Sequence, residues 1–178
     1  MDFNQVVQTR KSVKRFKSED IPENKLESML NAARVAPSWG NRQCWKFVLV
    51  RKQDIKKKIA EAMLPENSAH MGVEQAPLII VVCAEPESSA KSNNQEYYLV
   101  DSAIAMDHLI LAAHNEGLGT CWVGKFDENK IKQLLKIPEH YRVVALTPVG
   151  YPDESPDTES RRTINEIGYL DGWGNYLH

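Results

Sequence analysis

Apolar positions along the chain switch between two periods, and the switches divide it into elements. After Pro22, residues Leu26, Met29, Leu30 and Ala33 recur at helical spacing until Pro37 stops the run. Trp45 to Val50, aromatic and branched, reads as a strand. Ile55, Ile59 and Met63 then predict a short amphipathic helix broken near Pro65. The run from Pro77 to Ala84 is apolar on both faces and predicts a central strand. Residues 86–94, rich in Ser, Asn and charge, predict a mobile loop.

From about Glu96 to Glu116 the pattern is helical, with Leu99, Ala103, Met106, Ile110 and Ala113 on one side. This is expected to be the most buried helix. Gly117-Leu118-Gly119 ends it, and Thr120 to Val123 predicts a third strand ahead of Gly124. Ile131, Leu134 and Leu135 mark another helix, and Arg142 to Val149 a fourth strand closed by Gly150 and Pro152. A polar linker, 153–160, precedes a tail with Tyr169, Leu170, Trp173, Tyr176 and Leu177. Strands and helices alternate without an internal repeat, so the class is α/β or α+β. The large apolar groups of the tail need a surface to pack on, and its hanging position favours a partner subunit.

Composition narrows the partners. The chain has 178 residues, enough for one domain with a real core. Lys and Arg total 22 against 24 Asp and Glu, a formal charge of -2, so no global field recruits nucleic acid or an anionic membrane. Cys44, Cys83 and Cys121 form no CxxC motif and lack metal-ligand spacing. With a charged N-terminus and only short apolar runs, a reduced, cytoplasmic setting is expected.

Against this near-neutral background the run from Thr9 to Phe16 is locally basic. In an extended segment Arg10, Ser12 and Lys14 face one way and Lys11, Val13 and Arg15 the other, with Arg10 and Lys14 about 13 Å apart. Such a segment can set a guanidinium and a hydroxyl on a phosphate at one end of an elongated ligand and an ammonium near its other end. A solvated basic run or a nucleic-acid patch is the alternative. Other familiar chemistry is missing: there is no G-x-S-x-G elbow and no P-loop, and no histidine pair at i,i+4 suggests a metal site. The glycines at 117, 119 and 124 follow a helix and precede a strand, the reverse of a dinucleotide fingerprint. An anion site without a nucleophile points to chemistry imported with a cofactor.

Four segments in order, Arg10 to Phe16, Ala36 to Trp45, Gly117 to Gly124, and Val149 to Pro152 followed by Arg161-Arg162, resemble the nitroreductase family of FMN-dependent oxidoreductases. The resemblance covers nearly the whole chain. It implies an α+β fold with a central, mostly antiparallel sheet flanked by helices. It also implies an intertwined homodimer with FMN at the subunit interface, and one domain over 1–178 whose tail, 161–178, packs on the partner. Arg10 and Ser12 match the phosphate and ribityl contacts, with Lys11 alongside, and Arg161 matches a C-terminal phosphate ligand. Lys14 matches a cation at the flavin pyrimidine edge that tunes the flavin. Asn41 matches an amide contact to the ring, supplied across the dimer with Pro37, Ser38 and Trp39. Cys121, Trp122, Val123 and Gly124 match the segment over the ring, whose backbone can donate to N5.

Two residues depart from the family pattern. Cys44 stands where proline is usual, and Val123 where larger members carry an acidic residue. Gln43 leaves two readings open, a contact to flavin or substrate and an ordering role in its own loop. Arg162 is a second phosphate ligand or a solvated charge. Trp45, Phe47 and Trp122 read as packing, and Cys121 as a small buried hydrophobe rather than a redox thiol. The implied activity is a ping-pong transfer of reducing equivalents from NADH or NADPH, through flavin N5, to a small electron-poor acceptor such as a nitroaromatic, quinone or enone. Flavin-cleaving or dehalogenating chemistry on the same scaffold and a non-enzymatic FMN carrier or sensor are the alternatives.

Overall fold

The apolar run predicted to be a central strand forms β2 (Leu78–Ala84), and every residue of it is buried. It pairs antiparallel with β1 (Trp45–Val50) on one side and β6 (Arg142–Gly150) on the other. The short β5 (Gly119–Thr120) completes the order β1-β2-β6-β5. The computed structural model describes residues 1–64, 66–157 and 159–176, so the expected helix break at Pro65 and Leu177 of the tail lie outside the described residues.

Alternation along β2 feeds two cores. Ile79, Val81 and Cys83 pack with Ile59 of α3 (Gln53–Glu61), Val73 of α4 (His70–Gln75) and Ile131 of α6 (Glu128–Leu135). Leu78 and Ile80 pack with Met29 and Ala33 of α2 (Glu23–Arg34) and Leu109 and Ala113 of α5 (Tyr97–Asn115). Helices therefore cover both faces of an antiparallel sheet, and an antiparallel strand can read as continuously hydrophobic. The architecture is the expected α+β arrangement.

Several expectations need correction. Leu99 is 45% exposed and Ala103 half-buried, because the inward face of α5 is Tyr98, Asp101, Ser102, Ala105, Met106, Leu109 and Ala113. The helix is apolar nearly all round, which leaves periodicity unable to tell its inner from its outer face. Residues 86–94 are not one irregular loop. A single 3-10 turn, Pro86–Ser88, is followed by a hairpin of β3 (Lys91–Ser92) and β4 (Gln95–Glu96). Its two-residue turn, Asn93-Asn94, has φ of 51° and 60°, the double left-handed geometry that suits a tight hairpin. The third strand stops at Thr120 rather than Val123. Its register would set Cys121 opposite Pro148, which has no amide hydrogen, and the Cys121 amide donates instead to Thr147 Oγ1 at 3.1 Å.

Periodicity also misses α1 (Phe3–Thr9), which buries only Val6 but starts with a reciprocal Asp2–Gln5 capping box. Likewise missed are α4 and the one-turn α7 (Ile164–Ile167). Helix α5 ends as its Gly-Leu-Gly signal implies. Gly117 has φ of 77°, its amide donates to His114 O at 3.0 Å, and the Leu118 amide donates to Ala113 O at 2.9 Å.

From α1 the chain runs into an extended strap, residues 10–17, laid across one end of the sheet. The Val13 amide donates to Thr120 O and the Lys17 amide to Tyr151 O, both at 2.9 Å, while the Asp153 amide donates to Arg15 O at 3.0 Å. Val13 and Phe16 are buried against Ala76. Their burial is worth about 3–6 kcal/mol together. The strap fits because glycines meet it: a Cβ on Gly72 would lie 2.5 Å from Lys14 O, and one on Gly119 would lie 2.7 Å from Val13 Cγ2.

Gly72→Ala gains at most about 1 kcal/mol of helix propensity and costs about 1–3 kcal/mol in overpacking, because a backbone oxygen cannot swing aside. Urea unfolding should show a net loss of stability. In Gly124→Ala the new Cβ meets nothing nearer than Trp122 Nε1 at 3.8 Å, so that variant should stay within about 0.5 kcal/mol of the parent. Equal stability of the two variants would show that the strap is not clamped.

Candidate functional site

With Val13 and Phe16 turned inward, the strap presents Arg10, Ser12 and Lys14 to a cavity of about 650 Å³. Lys11 reaches in beside them, its Nζ donating to Pro156 O at 2.8 Å. The opposite wall is the segment after β6, with Glu154, Pro156, Asp157, Glu159 and Arg161. The fold thus joins Arg161 to the N-terminal cluster from the far end of the chain. Arg161 is largely exposed and lies 3.8 Å from Glu159, a solvent-screened pair.

Arg10 and Lys14 are both partly buried, and among the described residues neither side chain has a carboxylate within ion-pair distance or a hydrogen-bond acceptor. Two partly desolvated cations facing one cavity favour an external anion. The guanidiniums of Arg10 and Arg161, the Lys11 ammonium and the Ser12 hydroxyl suit a phosphate ester, with the Lys14 ammonium in the same cavity. Cys121 lies close to the same cluster, with Lys14, Ser12 and Arg10 nearby. Burial pushes its thiol up despite these groups, so it stays protonated and behaves as a small hydrophobe.

The rest of 121–124 is divided between core and surface. Val123 is 1% exposed, and its amide and carbonyl both pair with Leu146, at 2.9 and 3.0 Å. The Cys121 amide is also committed, to Thr147. Only the amides of Trp122 and Gly124 are left without a partner among the described residues, and both residues are exposed. A backbone donor from this segment therefore has two candidates.

Pro37, Ser38, Trp39, Asn41 and Gln43 do not line this cavity. They form a separate tight loop in which Gly40, Asn41 and Gln43 all have left-handed φ, at 53°, 56° and 51°. Buried Asp101 of α5 anchors it, accepting from the Trp39 amide at 2.9 Å, from Ser89 Oγ at 2.7 Å and from Cys44 Sγ at 3.7 Å. Burial and this carboxylate push the Cys44 thiol up to about 11. Of the two readings of Gln43, the ordering role is the one seen: its amide donates to Ser38 Oγ at 3.0 Å and its Nε2 to Asn41 Oδ1 at 3.1 Å. Cysteine at 44 suits this geometry, since a proline there would disfavour the conformation of Gln43. The Trp39 ring packs on Tyr97 at 4.3 Å, and the Asn41 side-chain nitrogen donates to nothing among the described residues.

Sequence reasoning passed over two residues that hold the site together. Glu154 was hidden in a polar linker. Asp101 was hidden in an apolar helix, although a lone carboxylate between Val100 and Ser102 is itself a signal.

Comparison with known proteins agrees with this fold. The model of the Nitroreductase family matches residues 7–151. A nitroreductase family protein from Clostridium novyi NT has a solved structure that superimposes with a TM-score of 0.85 at 43% identity, covering 99% of this chain and 97% of that one. A protein from Methanothermobacter thermautotrophicus, provisionally named NADH dehydrogenase/NAD(P)H nitroreductase, is 32% identical over 177 residues, 97% of this chain and 88% of its own length. An iodotyrosine deiodinase from Haliscomenobacter hydrossis is 29% identical over 191 aligned residues, 90% of this chain and 85% of its own length. The strap, the sheet behind it and the loop anchored by Asp101 all fall within the matched span, and the chain belongs to the nitroreductase family of oxidoreductases.

Proposed function

We propose that the protein is an FMN-dependent NAD(P)H oxidoreductase that acts as a homodimer, the whole chain forming one domain. The observation that carries this reading is the convergence of Arg10, Lys11, Ser12, Lys14 and Arg161 on one cavity, where half-buried Arg10 and Lys14 have no partner among the described residues. Bound FMN would accept reducing equivalents from NADH or NADPH and pass them to a small electron-poor acceptor, a nitroaromatic, quinone or enone, in a ping-pong cycle.

The chain's own residues bind and orient. Arg10, Lys11, Ser12 and Arg161 would hold the phosphate and the ribityl chain. Lys14 would place its ammonium where negative charge develops on reduction, stabilising the reduced form. Trp122 or Gly124 would donate a backbone hydrogen bond to the ring. Asn41, carried with Pro37, Ser38 and Trp39 on the strained loop, would reach the ring of the partner's site. Gln43 holds that loop in shape.

Exposed apolar surface supports association. Phe3 and Val7 of α1, Leu99 and Val100 of α5, and Ile164, Ile167, Leu170, Trp173 and Tyr176 after the linker all face solvent in the single chain. Residues 169–175 bond among themselves, with the Leu170 amide donating to Asn175 O at 2.7 Å and Tyr169 packing on Trp173 at 4.9 Å. A preformed apolar tail suits docking on a second copy.

The likeness to an iodotyrosine deiodinase keeps reductive dehalogenation as a second reading. Anaerobic reduction with NADH and NADPH in parallel, followed by a panel of nitroaromatic, quinone, enone and halogenated phenol acceptors, separates the two. Halide release would favour dehalogenation. Oxygen-dependent loss of the flavin spectrum would favour flavin cleavage, and failure of every reductant and acceptor a carrier or sensor role. A purified protein that develops no flavin spectrum with FMN would overturn the whole reading.

Arg10→Ala and Arg161→Ala should each weaken FMN binding about 10- to 100-fold by fluorescence titration, the loss of a charge-assisted phosphate contact. Lys14→Ala should leave oxidised FMN bound with affinity near the parent's and move the flavin potential to more negative values. Asn41→Gly should keep the loop and lose the amide contact, lowering turnover with little change in melting temperature. Asn41→Ala should lower both, because a Cβ without a polar partner is disfavoured at a φ of 56°. Equal melting temperatures for the two would remove backbone strain from the account.

A further inference from the structure

Glu154 makes three bonds to the strap. Its Oε1 accepts from the Lys14 amide at 2.6 Å and the Arg15 amide at 3.2 Å, and its Oε2 accepts from Arg15 Nε at 3.1 Å. The Glu154 side chain is 18% exposed and that of Arg15 is 68% exposed. Water therefore screens the ion pair, and the two amide bonds fix the geometry. The residue before Glu154 adds another tie, since the Asp153 amide donates to Arg15 O. On the far side the Lys14 carbonyl abuts Gly72. The Lys14 backbone is thus held at its amide by Glu154 and flanked at its carbonyl by Gly72, while its ammonium has no partner among the described residues.

A carboxylate at this place has a cost. It lines the same cavity as Arg10, Lys11, Lys14 and Arg161, where its charge opposes the attraction of an anion. A neutral side chain could fill the space without that cost. What a carboxylate adds is strong acceptance from two adjacent amides at once.

We propose that Glu154 is a positioning residue for Lys14, fixing the backbone from which the Lys14 ammonium reaches the pyrimidine edge of bound flavin. The proposal rests on the FMN reading above. Glu154 acts through Lys14 and touches no reacting atom.

The groups facing the Glu154 carboxylate are Lys14 and Arg15 of the strap, Cys121 beyond β5, and Lys11 in the shared cavity. The Lys14 amide first, and then the Arg15 amide and guanidinium, hold its carboxyl below the usual carboxylate value of 4.5. Its folded pKa is thus depressed, so its contribution is complete above that value and disappears as pH falls through the lower folded one.

Two measurements test the proposal. In flavin-free protein, amide NMR should place the Lys14 and Arg15 protons downfield at neutral pH and move them upfield together on acidification below 4.5. Glu154→Gln should abolish that shared titration. In flavin-loaded protein, Glu154→Ala should lower the affinity for reduced relative to oxidised FMN about tenfold, in the same direction as Lys14→Ala. The double variant should match Lys14→Ala alone, because the two residues act as one unit. Glu154→Gln, which keeps a neutral acceptor, should give a smaller shift and remains informative where the alanine variant folds poorly.

Lower melting temperature with an unmoved potential in both Glu154 variants would overturn the proposal and leave a purely structural residue. Additive effects of Glu154→Ala and Lys14→Ala would overturn it too. Either outcome leaves the FMN reading standing. Wild-type protein that takes up no flavin would overturn the FMN reading and this proposal with it.

Discussion

The candidate site depends on the closeness with which the strap lies against other backbone. Gly72, Gly119 and Gly150 make that approach possible. A Cβ on Gly119 would meet Val13, and one on Gly150 would meet Pro77 Cδ at 2.6 Å and Phe16 Cδ1 at 3.2 Å. With these glycines the strap can bury Val13 and Phe16 while Arg10, Ser12 and Lys14 face the cavity. One short segment thus serves the core with Val13 and Phe16 and the cavity with Arg10, Lys11, Ser12 and Lys14. Packing is what lets four cations be held near one another, since their mutual repulsion would otherwise favour an open segment.

A second constraint acts at the other loop. Left-handed backbone at Asn41 and Gln43 costs of order 1–3 kcal/mol per residue and persists only where surroundings over-determine it. The surroundings here are Asp101, which holds the Trp39 amide and Ser89, and the mutual bonds of Ser38, Asn41 and Gln43. Asp101 stands on the same helix whose Met106 and Leu109 enter the core, so the loop inherits the rigidity of the sheet-packed helix. Strain kept in place by a buried carboxylate, with the Asn41 side-chain nitrogen unused among the described residues, suits a loop shaped for something outside it.

Much of this was legible in the sequence, and the reasons it was or was not are physical. Trp45 to Val50 reads correctly at both ends because its residues are aromatic and branched and polar residues flank it. The run 78–84 reads correctly because burial on both faces leaves it without any polar residue. The strap is readable because its local basic run stands out in a chain of near-neutral charge. Contacts that join residues distant in sequence carry no local signature. Glu154 meets Lys14 across 140 positions, and its neighbours look like linker. Short elements fail for a different reason: α1 has one buried residue and the hairpin strands have two residues each, too few for a period to emerge. Their signals were chemical, the Asp2–Gln5 capping box and the Asn93-Asn94 turn.

The division of the site within one chain bears on how it works. The cavity lined by Arg10, Lys11, Ser12, Lys14 and Arg161, proposed above for the phosphate end of the ligand, is already formed within the single chain. The Asn41 loop contributes nothing to that cavity, yet it is the more strained of the two halves. A protein that bound its ligand with one protomer alone would have no use for that strain. If instead the strained loop meets the ring in a partner's cavity, its cost is offset only on association. The same step covers Leu99, Val100 and the apolar tail. Ligand binding and assembly would then stabilise each other, because each completes surface that the other leaves open. On this view the strap sets where the ligand's charged end rests, and the partner's loop sets which face of the ring stays accessible to donor and acceptor.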